Sequence, residues 1–309
     1  MTDPIDKEIE LFQAEIRGAF DDRQFEEIEN LAGQLREGRE TFSNGSWKIY
    51  RFYEGLGDRF HSGEDGYLTD LDTHRAWRKA YPDSVTERIA LADLLVDYAW
   101  HARGTGYANT VTPEGWRLMG ERLDQADAAL AEAKKIGGED IYWYSVAIMM
   151  GTGQGWDKER FDEVVAESLE REPTYWSVPA HRAYTLLPRW FGDEGDWEAF
   201  ALKASQAPGG LGDETYTRIV IRLSGYYANV FRDARPSWPR TKSGLEIMLK
   251  KYPDSLWIRN WAAKLGTLGQ DREFAKAWFD RLGDEYIKEV WKKPERFVHF
   301  RGWAETGQW

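Results

Sequence analysis

KAYPDSVTERIALADLLVDYAWHAR, residues 79–103, decides the class of fold. Ser84 with Glu87 three residues on makes a capping-box pattern, which marks the start of a helix. Beyond it Ile89, Ala92, Val96 and Ala99 form one apolar stripe at helical spacing, and Leu91, Leu94 and Tyr98 form a second. A helix that is apolar on two sides is buried between neighbours, as in stacked helical layers. Ala92 and Ala99, seven apart, let a partner helix approach closely.

The opening hexapeptide returns. Lys79-Ala80-Tyr81-Pro82-Asp83-Ser84 recurs as Lys250-Lys251-Tyr252-Pro253-Asp254-Ser255, with a looser copy at Glu172-Pro173-Thr174-Tyr175. A second echo links Gly151-Thr152-Gly153-Gln154-Gly155-Trp156-Asp157 to Gly266-Thr267-Leu268-Gly269-Gln270-Asp271, each followed by an aromatic knob, Phe161 or Phe274. Helical stripes fill the intervals: Ile5, Ile9, Phe12, Ile16, Phe20; Phe25, Ile28, Leu31, Ala32, Leu35; Met119, Leu123, Ala126, Leu130, Ala133; Phe161, Val164, Val165, Leu169; and Tyr216, Ile219, Val220, Leu223. Thr112-Pro113 reads as N-cap and first helical position. Asp157, Asp196, Asp213 and Asp271 stand where a carboxylate accepts from free helix N–H groups. Glycines at 104, 137–138, 192, 209–210 and 283 punctuate the other ends. Roughly a dozen helices joined by short loops are expected.

These repeated turns resemble the tetratricopeptide class, whose helix pairs stack into a superhelix. No copy carries the full pattern, and Pro179 and Pro188 interrupt one helix. Three further stretches, SWKIYRFYEGL (46–56), YAWHARGTGYANTVTPEGWRLMGERL (98–123) and LLPRWFGDEGDWEAFA (186–201), are similar to motifs of an uncharacterised bacterial family of tetratricopeptide-like helices, catalogued as a domain of unknown function. That resemblance implies architecture and bacterial origin, and transfers no activity. The expected fold is all-α: a right-handed superhelix of stacked antiparallel helix pairs, one helical-repeat domain over residues 1–309 with a sub-boundary near 137–140.

Composition narrows the function. The chain of 309 residues carries 41 Lys+Arg against 53 Asp+Glu, a net charge of −12. With a pI near 5.1 and no basic stripe, nucleic acid and anionic membranes are poor partners. The absence of cysteine removes disulfides, thiolate nucleophiles and Cys-ligated metal sites. The first twenty residues are acidic and amphipathic, so no signal peptide is expected, and no apolar run approaches the ~20 residues of a membrane span. The expected compartment is the cytoplasm, or the periplasm or exterior if a leader has been removed.

Specific chemistry is sparse. Gly151, Gly153 and Gly155 follow a strand-like run, but Trp156 stands where a dinucleotide fingerprint needs glycine, so a helix–turn–helix is the better reading. His61, His74, His101, His181 and His299 have no zinc-motif spacing. The acidic stretches 63–66, with Asp70 and Asp72, and 192–196 lack calcium-loop spacing and read as caps and solvated turns. No cofactor and no metal are expected.

Two loops stand out. Residues 104–111 carry Tyr107 beside Trp100, Arg103 and Trp116, and residues 188–192 place Arg189 and Trp190 after a helix-breaking proline. Helices 84–103 and 174–188, as the first of their pairs, would line a concave face and end at these residues. Arg beside Trp is a common contact for a partner's carboxylate or peptide. The leading expectation is therefore a non-catalytic scaffold for another protein or peptide, held by Trp100, Arg103, Tyr107, Arg189 and Trp190. The alternative is an α/α-toroid carbohydrate-active enzyme that uses Trp143, Trp156, Trp176, Trp190 and Trp197 as platforms with Asp193, Glu194 and Asp196 as its carboxylates. The third is an acidic, immunity-type partner of a basic protein.

Overall fold

The structure, a computed structural model, describes residues 3–57, 63–137 and 140–309. It is all-helical: helix takes 74% of the chain, and among the described residues there are seventeen α-helices and no strand beyond the isolated bridge of Thr41 and Trp47. None of these helices is long and apolar enough to cross a membrane. The chain divides into two compact units. One holds Ile9–Thr41 and Ser46–Arg171. The other holds the described residues up to Glu8, Phe42–Gly45 and Glu172–Trp309. Of the glycine pair at 137–138 and the stretch 137–140, residues 138 and 139 lie outside the described residues, as does His61.

The first unit contains most of α1 (Pro4–Asp21), then α2 (Phe25–Gly38), α3 (Lys48–Leu56), α4 (Glu64–Ala80), α5 (Val85–Arg103), α6 (Pro113–Ile136), α7 (Tyr142–Gln154) and α8 (Lys158–Arg171). At its centre α5 packs on α4, α6 and α7. Both apolar stripes of α5 are buried apart from Leu91, which is half-buried, and Ala92 and Ala99 are fully enclosed. Ser84 caps α5 by accepting from Glu87 N at 2.8 Å. The reciprocal half of the capping box is missing, because the Glu87 carboxylate turns away to Arg78 and Arg88, 3.0 and 3.2 Å off. The acidic residues 64–72 are not all solvated. Asp70 is buried against Arg17 at 2.6 Å, and Glu64 accepts from Tyr98 Oη, also at 2.6 Å.

The second unit contains α9 (Ser177–Thr185), α10 (Asp196–Ser205), α11 (Asp213–Leu223), α12 (Val230–Asp233), α13 (Trp238–Lys251), α14 (Leu256–Leu268), α15 (Arg272–Leu282), α16 (Lys288–Trp291) and α17 (Pro294–Thr306). The very short α12 and α16 carry no periodic stripe and help explain why the helices outnumber the dozen expected. Pro179 does not break α9, since it falls in the first turn, where its missing N–H removes no helical bond. Asp196 and Asp213 stand inside their first turns, and Gly195 and Gly212 hold the N-cap positions at φ 93° and 62°. Thr112, Asp157 and Asp271 do cap, accepting from Gly115 N, Arg160 N and Phe274 N.

Both sequence echoes are echoes of backbone. Tyr81 and Tyr252 end their helices at φ −128° and −127°. Ser84 N and Ser255 N then donate to those tyrosines' carbonyls, at 3.1 and 3.2 Å. In the second turn type, Gly151 O and Gly266 O each accept from the residue five further on, Trp156 N and Asp271 N. The glycines permit contact with the aromatic knobs: a Cβ on Gly151 would meet Phe161 at 3.1 Å, and one on Gly266 would meet Phe274 at 3.0 Å. The run Gly151–Gly155 is thus the end of α7 and not a phosphate loop.

A Cβ on Gly244 would run into Asp213 O and Thr217 Oγ1, where α13 crosses α11, whereas Gly120 on α6 faces open space. In chemical denaturation Gly244→Ala should cost about 1–3 kcal/mol or more, and Gly120→Ala should gain about 0.5–1 kcal/mol. In α14, Lys264 is buried with its Nζ donating to Val290 O at 2.7 Å and lying 4.4 Å from the centre of the Trp261 ring. Burial, aided by the charges of Arg296 and Lys292, pushes this amine down to about 7. Between that value and the ordinary lysine range the unfolded chain binds the extra proton, so stability rises with pH across that window. The difference in unfolding free energy between wild type and Lys264→Met should increase from pH 7 to 9, by at most about 1.4 kcal/mol per pH unit. A flat difference would show that the amine titrates normally.

Candidate functional site

α9 stops because Pro188 cannot continue it. Leu187 N and Phe191 N donate back to Tyr184 O and Thr185 O at 3.2 and 3.1 Å, so the chain folds onto the helix end. Gly192 is required there, since a Cβ would collide with the Leu186 carbonyl. The turn leaves Arg189 exposed, its guanidinium 5.6 Å from the centre of the Trp190 ring and 5.7 Å from that of Tyr226. Tyr184 packs between these rings, 5.8 Å from Trp190 and 5.4 Å from Tyr226.

Beside this turn lies a cleft of about 630 Å³, within the range of ligand sites. Arg189 forms one lip, and Trp197, Tyr226 and Tyr227 give it aromatic walls. Glu194, Glu198, Asp233 and Arg235 supply charge. Trp197 is enclosed and donates its Nε1 to Tyr227 Oη at 2.9 Å, which fixes both rings. Asn229 caps α12 and donates its backbone N–H to Asp233 at 3.0 Å. With Arg232 on its other oxygen at 2.7 Å, Asp233 is held below its usual range, Arg232 contributing most. Glu198 is the contrast. Its Oε2 is buried without a hydrogen-bond partner. Burial first, then the nearby charges of Asp196 and Glu194, raise its carboxyl above the ordinary glutamate value. The cleft therefore offers guanidinium donors, flat apolar faces, a firmly ionised carboxylate and one that holds its proton more readily.

The residues singled out in the sequence separate into two groups. Arg189 lines the cleft, and Trp190 stands behind it in tilted contact with Tyr184. Trp100, Arg103 and Tyr107 belong to the other unit. There Arg103 bonds to Gly104 O and Gly106 O at 3.1 and 3.0 Å, with the rings of Trp100 and Trp116 5.5 and 5.6 Å from its guanidinium carbon. It ties down the 104–111 loop, and Tyr107 stands 85% exposed at the loop's tip. Of the imagined carbohydrate platform, Trp197 and Glu194 reach the cleft. Trp143 and Trp156 instead turn their indole N–H groups to Leu130 O and Gln154 within the other unit. Glu198, Tyr226, Tyr227, Asp233 and Arg235 had drawn no attention in the sequence. The adjoining Trp197-Glu198 pair was the available signal for the first of them. Among the described residues no group of three acidic or histidine side chains could hold a metal ion.

The two arginines should therefore respond differently. Arg103→Ala should lower stability by about 1–2 kcal/mol and open the 104–111 loop to protease. Arg189→Ala should leave the melting temperature close to wild type. Equal melting temperatures together with equal protease resistance would remove the bracing role from Arg103. No family model matches the chain, and neither a curated protein nor a solved structure does.

Proposed function

We propose that the protein is a non-catalytic scaffold of tetratricopeptide-like helix pairs that binds a segment of another protein or peptide in the cleft beside Arg189. The observation that carries this reading is the cleft itself: it sets fixed aromatic faces between an exposed guanidinium and carboxylates, so both ends of a peptide group and side chains of either sign find partners there. The recurrence of two turn geometries supports the helix-pair arrangement, whose stacking into a right-handed superhelix belongs to the same proposal. Kinship with the bacterial family of tetratricopeptide-like helices is proposed on stretches 46–56, 98–123 and 186–201.

One observation favours a second reading. Glycoside hydrolysis needs a carboxyl that keeps its proton near a carboxylate that does not. Glu198 and Asp233 line one aromatic cleft and are shifted in opposite directions. The net charge of −12 likewise suits a basic protein as the partner.

Selection from a displayed random-peptide library discriminates among these. Enriched peptides should bind wild type and Arg103→Ala alike, and Arg189→Ala about tenfold or more weakly. Peptides that ignore Arg189→Ala would move the site elsewhere. Hydrolysis of an oligosaccharide panel that is lost in Glu198→Gln would replace the scaffold with the enzyme.

A further inference from the structure

Lys264 stands one turn beyond Asn260 on α14, and the two side chains fasten the segment 285–291 to that helix. Asn260 Oδ1 accepts from Ile287 N at 3.2 Å and from Trp291 Nε1 at 2.7 Å, and its Nδ2 donates to Glu285 O at 3.3 Å. Lys264 Nζ adds the bond to Val290 O at 2.7 Å, over the Trp261 ring. Asparagine makes its bonds uncharged, and the Val290 carbonyl asks no more of the amine than one N–H. Lys264 retains 6% of its surface in contact with solvent.

The charges that act on this amine all have one sign. They are Arg296, in the first turn of α17, and Lys292, which turns the chain out of α16 at φ 67°. No carboxylate of α13, α15, α16 or α17 offsets them, and among the described residues none of these three cations makes an ion pair. Burial first, then Arg296 and Lys292, push the amine down to about 7, so near neutral pH much of it carries a free lone pair. An ordinary lysine keeps roughly one amine in a few thousand in that form.

We propose that Lys264 is a carbamylation site: its amine takes up carbon dioxide, and the carboxylate so formed lies against Lys292 and Arg296. The nitrogen lone pair bonds to the carbon of carbon dioxide, one carbon–oxygen electron pair moves onto oxygen, and one N–H proton leaves to water. Nothing is oxidised or reduced, and the remaining N–H keeps its bond to Val290 O. An uncharged, desolvated lysine is the form that attacks such a carbon. The new negative charge falls beside two cations that lack a counter-ion, where charge-assisted contacts hold it. An acyl donor fits less well. It would turn the amine into a neutral amide, leave both cations unmatched and bring extra hydrocarbon into a packed site, whereas carbon dioxide is small and uncharged.

The test uses the full chain under isotope-labelled carbon dioxide, with triethyloxonium to trap carbamates as ethyl esters for peptide mapping. Near neutral pH the peptide that carries Lys264 should hold the trapped group at a level about tenfold or more above any exposed lysine. The fraction should rise with carbon dioxide and vanish when the sample is degassed before trapping. The amino terminus, which also takes up carbon dioxide, maps to its own peptide. Lys292→Gln combined with Arg296→Gln should lower the trapped fraction on Lys264 about threefold or more. Lys264→Met, if its circular dichroism is that of wild type, should lack one labelled carbamate signal that wild type shows. If that variant does not fold, the trapped peptide from wild type decides. No trapped group on Lys264, a fraction no higher than on exposed lysines, or a fraction unchanged in the double variant would each overturn the proposal.

Discussion

A carboxylate taken fully out of water must be met by charge or hydrogen bonds, or the helix that carries it does not stay buried. Glu87 imposes that condition on the first unit. It sits in the first turn of α5, the most enclosed helix there, so α5 can occupy the centre only if α4 supplies Arg78 at the right height, beside Arg88 of α5 itself. Removing one partner of such a buried group typically costs ~3–5 kcal/mol. Glu214 plays the same part in the second unit. It takes Arg218 at 2.9 Å and Tyr252 Oη at 3.3 Å. Arg218 in turn donates to Asn44 O at 3.0 Å and lies 4.7 Å from the centre of the Trp176 ring. A pair buried for its own reasons thereby fixes the 42–45 segment, and Gly45, with φ of 78°, has no room for a side chain beside Arg218 and Tyr252.

Much of the fold was legible because helical packing is a periodic problem. The stripe from Met119 to Ala133 is buried at every position named, and so are Tyr216, Ile219, Val220 and Leu223. The two recurring turns could be read because Tyr-Pro-Asp-Ser and the glycine-rich run encode backbone angles directly. Where a residue has two possible employers the sequence misleads. Glu87 fits a capping box by spacing, yet guanidinium groups outbid the backbone N–H for its carboxylate. Asp196 fits an N-cap by position, yet a left-handed glycine takes the cap and Asp196 instead accepts from Asp193 N at 2.9 Å.

The cleft was legible at only one edge. Pro188 and Gly192 announce a forced turn, and a forced turn exposes what stands between them, hence Arg189. The opposite wall comes from residues 226–235, where a single 3₁₀ turn and the four-residue α12 leave no periodic trace. What joins Tyr227 to Trp197 is a hydrogen bond between indole and phenol across thirty positions, which no local pattern records. Arg103 is the converse case. Its Trp neighbours suggested a waiting partner, and its Nη1 is held by carbonyls one and three residues away in its own loop.

The sixteen tryptophans explain why composition could not choose between core and binding surface. An indole is large enough to fill the space between helices, but its N–H must still find an acceptor. Inside a helix bundle most backbone carbonyls are already used, so the acceptor often comes from a loop, a helix end or a polar side chain; Trp143, on Leu130 O inside α6, is an exception. Trp176 donates to Gly45 O, Trp77 to Glu29 and Trp291 to Asn260. Trp238 reaches Asp271, the same carboxylate that caps α15 and receives Lys242. Each of these rings buries an apolar body while its polar edge secures a turn, a cap or a buried amide. The property that makes tryptophan a good binding residue, apolar area with one directed donor, serves in these rings to hold helix to loop, whereas Trp116 and Trp309 keep much of their surface exposed.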